Sequence, residues 1–187
     1  MSAIKYNKVE LRNKILQQRQ ALSLLEWQTN SNLICDRLKT LVLFKQAKTI
    51  FAYFSFRHEP DLSSLFSFNK NWAFPRCVDR SLEWHLWRPG QPLAIGKYNI
   101  QEPFKTAPII TPSAADLILV PTVACDEQRY RLGYGGGFYD RLLSSPQGSN
   151  IPTIGIVFDF AFIPQLPIDP WDIKLDFICS ETQFLSR

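Results

Sequence analysis

The 187-residue chain is long enough to bury a sizeable apolar core, and its 45% hydrophobic and 20% charged content excludes an intrinsically disordered protein. Its formal net charge of +4 comes from 21 basic and 17 acidic residues without long runs, which suits a small anionic substrate and not a nucleic-acid partner. The four cysteines form no Cys-x-x-Cys pair, and no apolar run has the length of a membrane span or the position of a secretory leader. We therefore expect one domain over residues 1–187 that is cytoplasmic, monomeric and without membrane partners.

Two helices are predicted in the first forty residues. Residues 5–21 form the first, and Lys8 and Arg12 share one of its faces because they are four residues apart. Such a basic face is usually only solvated, and it becomes a binding surface if an anion lies opposite. Ser23 and Glu26 have the capping-box spacing, which predicts the start of a second helix.

Apolar, β-branched and aromatic segments that alternate with helical ones predict the sheet. Buried strands are expected at residues 49–56, 116–120 and 153–158, with shorter ones at 72–75, 82–87 and 177–179. Residues 96–113 are predicted to be a long connection, and Asp61 is predicted to cap a helix that runs to about Phe68. The alternation predicts an α/β fold of three layers, with a mostly parallel sheet covered by helices on both faces.

Glu59 follows the first of these strands, at the edge of the sheet where α/β proteins bind ligands. This position makes Glu59 a candidate substrate contact, although a glutamate in such a loop is more often only solvated.

The most informative stretch is Arg131 to Arg141, Arg-Leu-Gly-Tyr-Gly-Gly-Gly-Phe-Tyr-Asp-Arg, which lies between an apolar strand and a short predicted helix. Glycines let the backbone approach a phosphate closely, and the two arginines add fixed positive charge. Asp140 provides a carboxylate suited to Mg²⁺. The spacing alone is equally compatible with a tight structural loop. The stretch is not a P-loop, because it does not end in Gly-Lys-Ser/Thr. It is not a dinucleotide fingerprint either, because Phe138 stands where the third glycine is needed.

The same stretch resembles the signature of the 5-formyltetrahydrofolate cyclo-ligases, whose bacterial form is Arg-Leu-Gly-Tyr-Gly-Gly-Gly-Tyr-Tyr-Asp-Arg. The chain differs from it only at Phe138. Lys8-Val-Glu-Leu-Arg12 is similar to the N-terminal Lys-x-x-Leu-Arg element of the family, and Glu59 stands where the family has its substrate glutamate. Further similarities are the pair Glu102-Pro103 and the acidic residues Asp172, Asp176 and Glu181.

The resemblance implies an enzyme that closes a ring in the small-molecule substrate 5-formyltetrahydrofolate. The products would be 5,10-methenyltetrahydrofolate, ADP and phosphate, formed through a phosphorylated formyl group that N10 attacks. The implied ATP-binding residues are Lys8, Arg12, Arg131, Leu132, Gly133, Tyr134, Gly135, Gly136, Gly137, Phe138 and Tyr139. The implied folate-binding residues are Glu59, Tyr134, Gly135, Gly136, Gly137 and Phe138.

The implied catalytic residues are Arg131, Tyr139 and Asp140. The implied Mg²⁺ contacts are Asp140 and Asp176. Phe138 lacks the hydroxyl of the usual family tyrosine, and we expect its ring to act by stacking.

Three alternatives remain open at this stage: a related enzyme with another substrate, a folate- or nucleotide-binding module without catalysis, and a nicotinamide-dependent reductase. The missing dinucleotide fingerprint disfavours the reductase.

Overall fold

Thirteen strands and four α-helices build the part of the chain that the computed structural model describes, residues 7–186. The helices are α1 (Lys8–Gln20), α2 (Leu24–Thr40), α3 (Val42–Gln46) and α4 (Phe138–Ser144). The strands are β1 (Thr49–Phe51), β2 (Asn71–Val78), β3 (Ser81–Leu86), β4 (Leu93–Ile95), β5 (Gln101–Pro103), β6 (Ile109–Ile110), β7 (Leu117–Pro121), β8 (Ala124–Asp126), β9 (Arg131–Leu132), β10 (Thr153–Ile156), β11 (Phe162–Ile163), β12 (Phe177–Cys179) and β13 (Phe184–Leu185).

Eight of these strands form the central sheet, in the order β13-β12-β10-β7-β1-β2-β3-β6. The five strands from β12 to β2 are mutually parallel, while β13, β3 and β6 pair antiparallel at the two sides. Two small sheets accompany it, β11-β8-β9 and the ribbon β4-β5. The carboxyl ends of the parallel strands therefore meet at one edge of the sheet, which we call the carboxyl edge.

The sheet is buried on both faces because successive residues of its strands point to opposite sides. One face packs against α2 and α3 in a cluster that includes Ile34, Leu38, Phe44, Ile50, Leu119 and Ile154. The other face packs against α1, α4 and the β8–β9 hairpin in a cluster that includes Leu11, Ile15, Phe51, Ile118, Val120 and Leu143. The prediction of an α/β fold with a mostly parallel sheet and helices on both faces is confirmed.

Reciprocal capping boxes fix where the two long helices begin. The side chain of Asn7 accepts hydrogen bonds from Val9 N and Glu10 N, and the Glu10 carboxylate accepts one from Asn7 N. Ser23 and Glu26 repeat the arrangement at the start of α2, as the sequence predicts. The predicted start of the first helix, residues 5 and 6, lies outside the described residues.

Several predicted elements differ from the structure. The first strand ends at Phe51, not at residue 56, although the chain stays extended and Ala52 N still donates to Ala73 O. The helix predicted after Asp61 is a single 3₁₀ turn, Ser63–Leu65, because the Asp61 carboxylate binds Ser63 N and Ser63 Oγ in a local turn. Strand β7 does not lead directly into the glycine-rich stretch, since the β8–β9 hairpin intervenes. The connection predicted at 96–113 contains β5 and β6.

None of the helices in the described part of the chain has the length and apolarity needed to cross a membrane.

Candidate active site

The glycine loop, residues 133–137, connects β9 to α4 just beyond the carboxyl end of β7. Val123 N donates to Leu132 O, which ties the start of the loop to the residues that follow β7. Gly135 and Gly137 have φ values of +96° and +67°, in the left-handed region that favours glycine. A Cβ atom at Gly137 would lie 2.6 Å from Arg141 Nη1, so a side chain there would force the Arg141 guanidinium to move.

Two predicted arginines flank this loop. Arg12 Nε, from α1, donates to Gly133 O at 2.7 Å, and its guanidinium faces Gly135. Arg131 Nη2 donates to Asp140 Oδ1 at 2.8 Å, while Arg131 Nε is buried without a hydrogen-bond partner in the described part of the chain. The structure thus brings Arg12, Arg131, Asp140 and the loop together around one exposed stretch of backbone.

Lys8 lies four residues before Arg12 on α1, but carboxylates occupy its ammonium group. Its Nζ atom is 2.6 Å from Asp169 Oδ2 and 2.5 Å from Asp172 Oδ2. Burial alone would lower the pKa of Lys8, but its bonds with the two aspartates raise that pKa overall. Contact of Lys8 with phosphate remains a prediction, and Asp172 is a neighbour that the sequence did not single out for this role.

Asp176 is not brought near Asp140. Its Oδ2 atom accepts hydrogen bonds from Thr153 N and Thr153 Oγ1, at 3.1 and 3.0 Å. Thr153 is the first residue of β10, so Asp176 lies at the amino ends of the parallel strands, opposite the glycine loop. Among residues 7–186, no group of three or more His, Cys, Asp or Glu side chains could hold a metal ion. The geometry therefore gives no support to a shared metal contact of Asp140 and Asp176.

Glu59 is buried in a tight turn that follows β1, with 3% of its surface exposed. Trp27 Nε1 and Ser55 Oγ both donate to Glu59 O, at 2.8 and 2.7 Å, and Phe56 N donates to Glu59 Oε2 at 3.0 Å. The turn passes through Arg57 and His58, whose φ values of 50° and 56° are unusual for residues other than glycine. Strained backbone of this kind is typical of functional sites.

Arg19 and Tyr134 connect the Glu59 turn to the glycine loop. Arg19 Nε donates to Arg57 O at 2.9 Å, and Arg19 Nη2 donates to the Tyr134 hydroxyl. The ring of Tyr134 lies 6.1 Å from that of Phe56. Tyr134 is part of the glycine loop, and its hydroxyl contacts the arginine that holds the Glu59 turn. Tyr134 therefore connects the two halves of the site, the glycine loop and the Glu59 turn.

Burial raises the pKa of Glu59 to about 7, although the positive charge of Arg19 and hydrogen bonds from Phe56 N and Tyr134 act in the opposite direction. Desolvation of the Tyr134 hydroxyl and the nearby Glu59 charge raise the pKa of Tyr134 well above its usual range. The pKa of Tyr139 is raised for the same two reasons, and its buried hydroxyl has no hydrogen-bond partner among the residues that the structure describes. Both tyrosines are therefore protonated donors at neutral pH.

Sequence analysis missed Arg19 as a site residue. Leu11 and Ile15 form a buried stripe on α1, and Arg19 continues this stripe at the next interval of four residues. A cation at a position where the helical pattern requires an apolar side chain is the signal that could have identified it.

Phe138 packs through the faces and edges of its ring. Its centroid is 6.0 Å from that of Tyr98, at an interplanar angle of 76°, and the Arg141 guanidinium lies 5.1 Å above it. These contacts agree with a stacking role. Glu102 is structural, because it accepts a hydrogen bond from Cys77 N and lies 3.5 Å from Arg76 Nη1.

The fold and this site define a class: an α/β enzyme that binds small molecules at the carboxyl edge of a parallel sheet. Residues 4–181 match the sequence profile of the 5-formyltetrahydrofolate cyclo-ligase family. The chain belongs to this family.

Individual relatives agree with this membership over nearly the whole chain. The 5-formyltetrahydrofolate cyclo-ligase of Escherichia coli K12 is 31% identical over 169 residues, which cover 86% of this chain and 93% of the relative. That of Haemophilus influenzae is 29% identical over 174 residues, 89% of this chain and 93% of the relative. The solved structure of Aquifex aeolicus 5,10-methenyltetrahydrofolate synthetase superposes with a TM-score of 0.85 at 32% identity, covering 96% of this chain and 92% of the other. The expectation of an enzyme of this family is confirmed.

Proposed function

We propose that the protein catalyses the ATP-dependent cyclisation of 5-formyltetrahydrofolate to 5,10-methenyltetrahydrofolate, with release of ADP and phosphate. The observation that carries this proposal is the juxtaposition of an exposed, arginine-flanked glycine loop with the buried carboxyl group of Glu59. Tyr134 is a member of the loop, and Arg19 links its hydroxyl to the Glu59 turn. A phosphate donor and a polar ring bound to these two halves would therefore meet.

The glycine loop is the proposed ATP subsite. Its backbone can approach phosphates closely, and the guanidinium of Arg12 and the buried cation of Arg131 provide positive charge on two sides. The full proposed set is that implied by the resemblance: Lys8, Arg12, Arg131, Leu132, Gly133, Tyr134, Gly135, Gly136, Gly137, Phe138 and Tyr139.

Asp140 is the proposed protein ligand of the magnesium ion that accompanies ATP. Mg²⁺ in nucleotide sites is commonly held by one or two carboxylates together with phosphates and waters, and the partly exposed Asp140 carboxylate fits this role. When bound, the ion neutralises charge on the phosphates. Arg131 holds the Asp140 carboxylate at the mouth of the loop through its Nη2 donor. We leave Asp176 out of the proposed metal site because its carboxylate binds Thr153 at the opposite edge of the sheet.

The turn around Glu59 is the proposed folate subsite. A buried carboxylate that its own backbone holds in place can accept hydrogen bonds from the ring N–H groups of a pterin. Tyr134 offers an aromatic face beside it, Phe138 adds a second aromatic face at the end of the loop, and the buried hydroxyl of Tyr139 is a further donor.

The reaction needs alignment and charge neutralisation more than a protein nucleophile. The N5-formyl group is an amide, so its oxygen leaves poorly. Transfer of the γ-phosphoryl group to that oxygen breaks the bond to ADP and makes a phosphate leaving group. N10 then attacks the formyl carbon, the C–O bond breaks, phosphate departs and N10 loses its proton. Cys125, the cysteine nearest the loop in the sequence, is unsuited to covalent catalysis because burial raises its pKa well above the usual range.

The direct test follows the absorbance of the conjugated methenyl product when purified protein receives 5-formyltetrahydrofolate and Mg²⁺, with and without ATP. Product that requires ATP and appears with an equal amount of ADP supports the proposal. Folate binding without product would favour a non-catalytic module, and ATP turnover only with another substrate would favour a related enzyme of different specificity. A cytoplasmic location and a monomeric state stay predictions from the sequence.

A further inference from the structure

Arg19 is a buried cation at the end of α1 that retains an unused hydrogen-bond donor. Only 2% of its surface is exposed. Its Nε and Nη2 atoms donate to Arg57 O and to the Tyr134 hydroxyl, but Nη1 is buried and has no hydrogen-bond partner among residues 7–186. The ion pairs of the described residues do not include Arg19. Buried donors without partners are rare in native proteins, so this nitrogen is a candidate to donate a hydrogen bond to a bound ligand.

The two occupied nitrogens fix where Nη1 lies. Arg57 O belongs to the strained turn that presents Glu59, and Tyr134 belongs to the glycine loop. Because the Tyr134 hydroxyl accepts from Arg19, its proton remains available for the Glu59 carboxylate, and the interaction of these two side chains acts to lower the pKa of Glu59 against the larger effect of burial. Arg19, Tyr134 and Glu59 thus form a chain that places a donor-only cation beside an acceptor-only carboxylate.

We propose that Arg19 is a specificity-determining substrate residue, whose Nη1 donates a hydrogen bond to the 4-oxo oxygen of the pterin that Glu59 binds. This inference rests on the proposed function. A 2-amino-4-oxopterin carries N–H donors and a carbonyl acceptor on neighbouring atoms of one ring. A carboxylate satisfies only the donors, and the carbonyl needs a second group that donates. Glu59 and Arg19 together supply both partners, and Arg19 cannot accept a hydrogen bond from a 4-amino group.

The test compares two ligands, 5-formyltetrahydrofolate and its 4-amino-4-deoxy analogue, by calorimetric titration in the absence of ATP. The wild-type protein is expected to bind the analogue about 20-fold or more weakly, since the 4-amino group places a donor against a donor. Arg19→Gln is expected to weaken binding of 5-formyltetrahydrofolate by about 20-fold and to reduce discrimination between the ligands to about threefold or less. The KM for ATP in turnover assays should change less than about threefold, because Arg19 lies on the Glu59 side of the loop.

Arg37→Gln is the matched control. Arg37 also donates from Nε and Nη2 to backbone carbonyls, those of Ser180 and Glu181, at 3.2 and 3.0 Å, but it ties α2 to the β12–β13 turn and not to the site. This variant should retain the affinity for both ligands and the discrimination between them, whatever its effect on stability.

Two results would overturn the inference. One is equal affinity of the wild-type protein for the two ligands, which needs no variant. The other is wild-type discrimination in a folded Arg19→Gln or, if that protein does not fold, in Arg19→Met, whose unbranched side chain has no donor. A wild-type protein that binds the folate but makes no methenyl product with ATP would refute the proposed function while leaving the role of Arg19 in folate binding testable.

Discussion

The two halves of the site are built in opposite ways. The glycine loop is exposed, consecutive in sequence and made largely of backbone, with arginines at its margins. The corner around Glu59 is buried and made of side chains from α1, α2, the turn after β1 and the loop itself. The first suits a flexible, highly charged triphosphate that arrives with water and a cation. The second suits a rigid ring whose hydrogen bonds must each find a partner.

The contrast between the two halves indicates which of them can distinguish one ligand from another. Contacts to phosphate through backbone and fixed charge are strong but tolerant, because every nucleoside triphosphate offers the same oxygens. A buried corner that holds unpartnered donors rejects any ligand that leaves them unsatisfied. We therefore expect substitutions in the loop to change turnover and ATP use, and substitutions in the corner to change folate recognition.

The largest effects are expected at the charged pair beside the loop. Arg131→Ala and Asp140→Asn should each lower kcat by about 100-fold or more while the fold persists, because one removes a preorganised cation and the other the proposed metal ligand. Steady-state turnover together with circular dichroism checks both parts. Lys39→Ala, which removes an exposed ion pair with Asp36, is the control. Near-normal turnover in both site variants would refute the proposed phosphate and metal subsite.

Glu59→Gln tests the buried corner and should raise the KM for 5-formyltetrahydrofolate by about 30-fold, with little change in the KM for ATP. The wild-type affinity for folate should increase as the pH rises through about 7, where the Glu59 carboxyl group loses its proton. The glutamine variant should show no such increase. A parallel rise in the KM for ATP would contradict the division of the site into two subsites.

The same carboxyl group should make the ligand-free protein less stable as the pH rises. Its pKa is about 7 in the folded protein, against an ordinary value of 4.5, so between these values the folded state binds more protons than the unfolded state. The free energy of unfolding therefore falls across this window in the wild type and should fall less in Glu59→Gln. Thermal unfolding at pH 5 and pH 8 measures this loss of stability. If Glu59→Gln loses as much stability between these pH values as the wild type, Glu59 is not the cause.

Alanine substitutions at two glycines with positive φ, one inside the glycine loop and one outside it, separate the effect of backbone strain from the effect on ATP binding. Alanine in a left-handed conformation costs about 1 kcal/mol at either Gly137 or Gly90. Only at Gly137 does the added Cβ meet a neighbour, Arg141 Nη1, whereas nothing lies within 4 Å at Gly90. Gly137→Ala should raise the KM for ATP by about tenfold, and Gly90→Ala should not. Equal ATP kinetics in the two variants would show that the shape of the loop does not control nucleotide binding.

The smallest effect is expected at Phe138, where the usual family residue is tyrosine. Its ring already packs against Tyr98 and beneath Arg141, so Phe138→Tyr should change kcat and both KM values by less than about twofold. A tenfold lower KM for folate in this variant would instead show that the missing hydroxyl contacts substrate.

The same contrast explains what the sequence could predict. The glycine loop is recognisable because its residues are consecutive, and Glu59 because it directly follows an apolar strand. The capping box at Ser23 is equally local, and the structure contains it. Arg19 could be recognised only as a cation on the apolar stripe of α1, because its contact with Tyr134, 115 residues away, cannot be read from the sequence.

The differences in the fold have a similar origin. Strands β8 and β9 have three and two residues, too few for an alternating pattern, and only their pairing defines them. The resemblance to the family implied a metal contact for Asp176, whose carboxylate accepts hydrogen bonds from Thr153, 23 residues earlier in the chain. Sequence spacing does not show which edge of a sheet a residue will reach.

The contacts of α1 also bear on how the enzyme comes into being. Arg12 and Arg19 reach the glycine loop across 121 and 115 residues of chain, so α1 is synthesised long before the loop with which it completes the site. Contacts of such long range form late and slow the folding of a domain. A nascent chain that stops before residue 131 has the basic helix but no loop for it to clasp. We therefore expect ligand binding only from the fully folded protein, so binding can be used to detect the completion of folding.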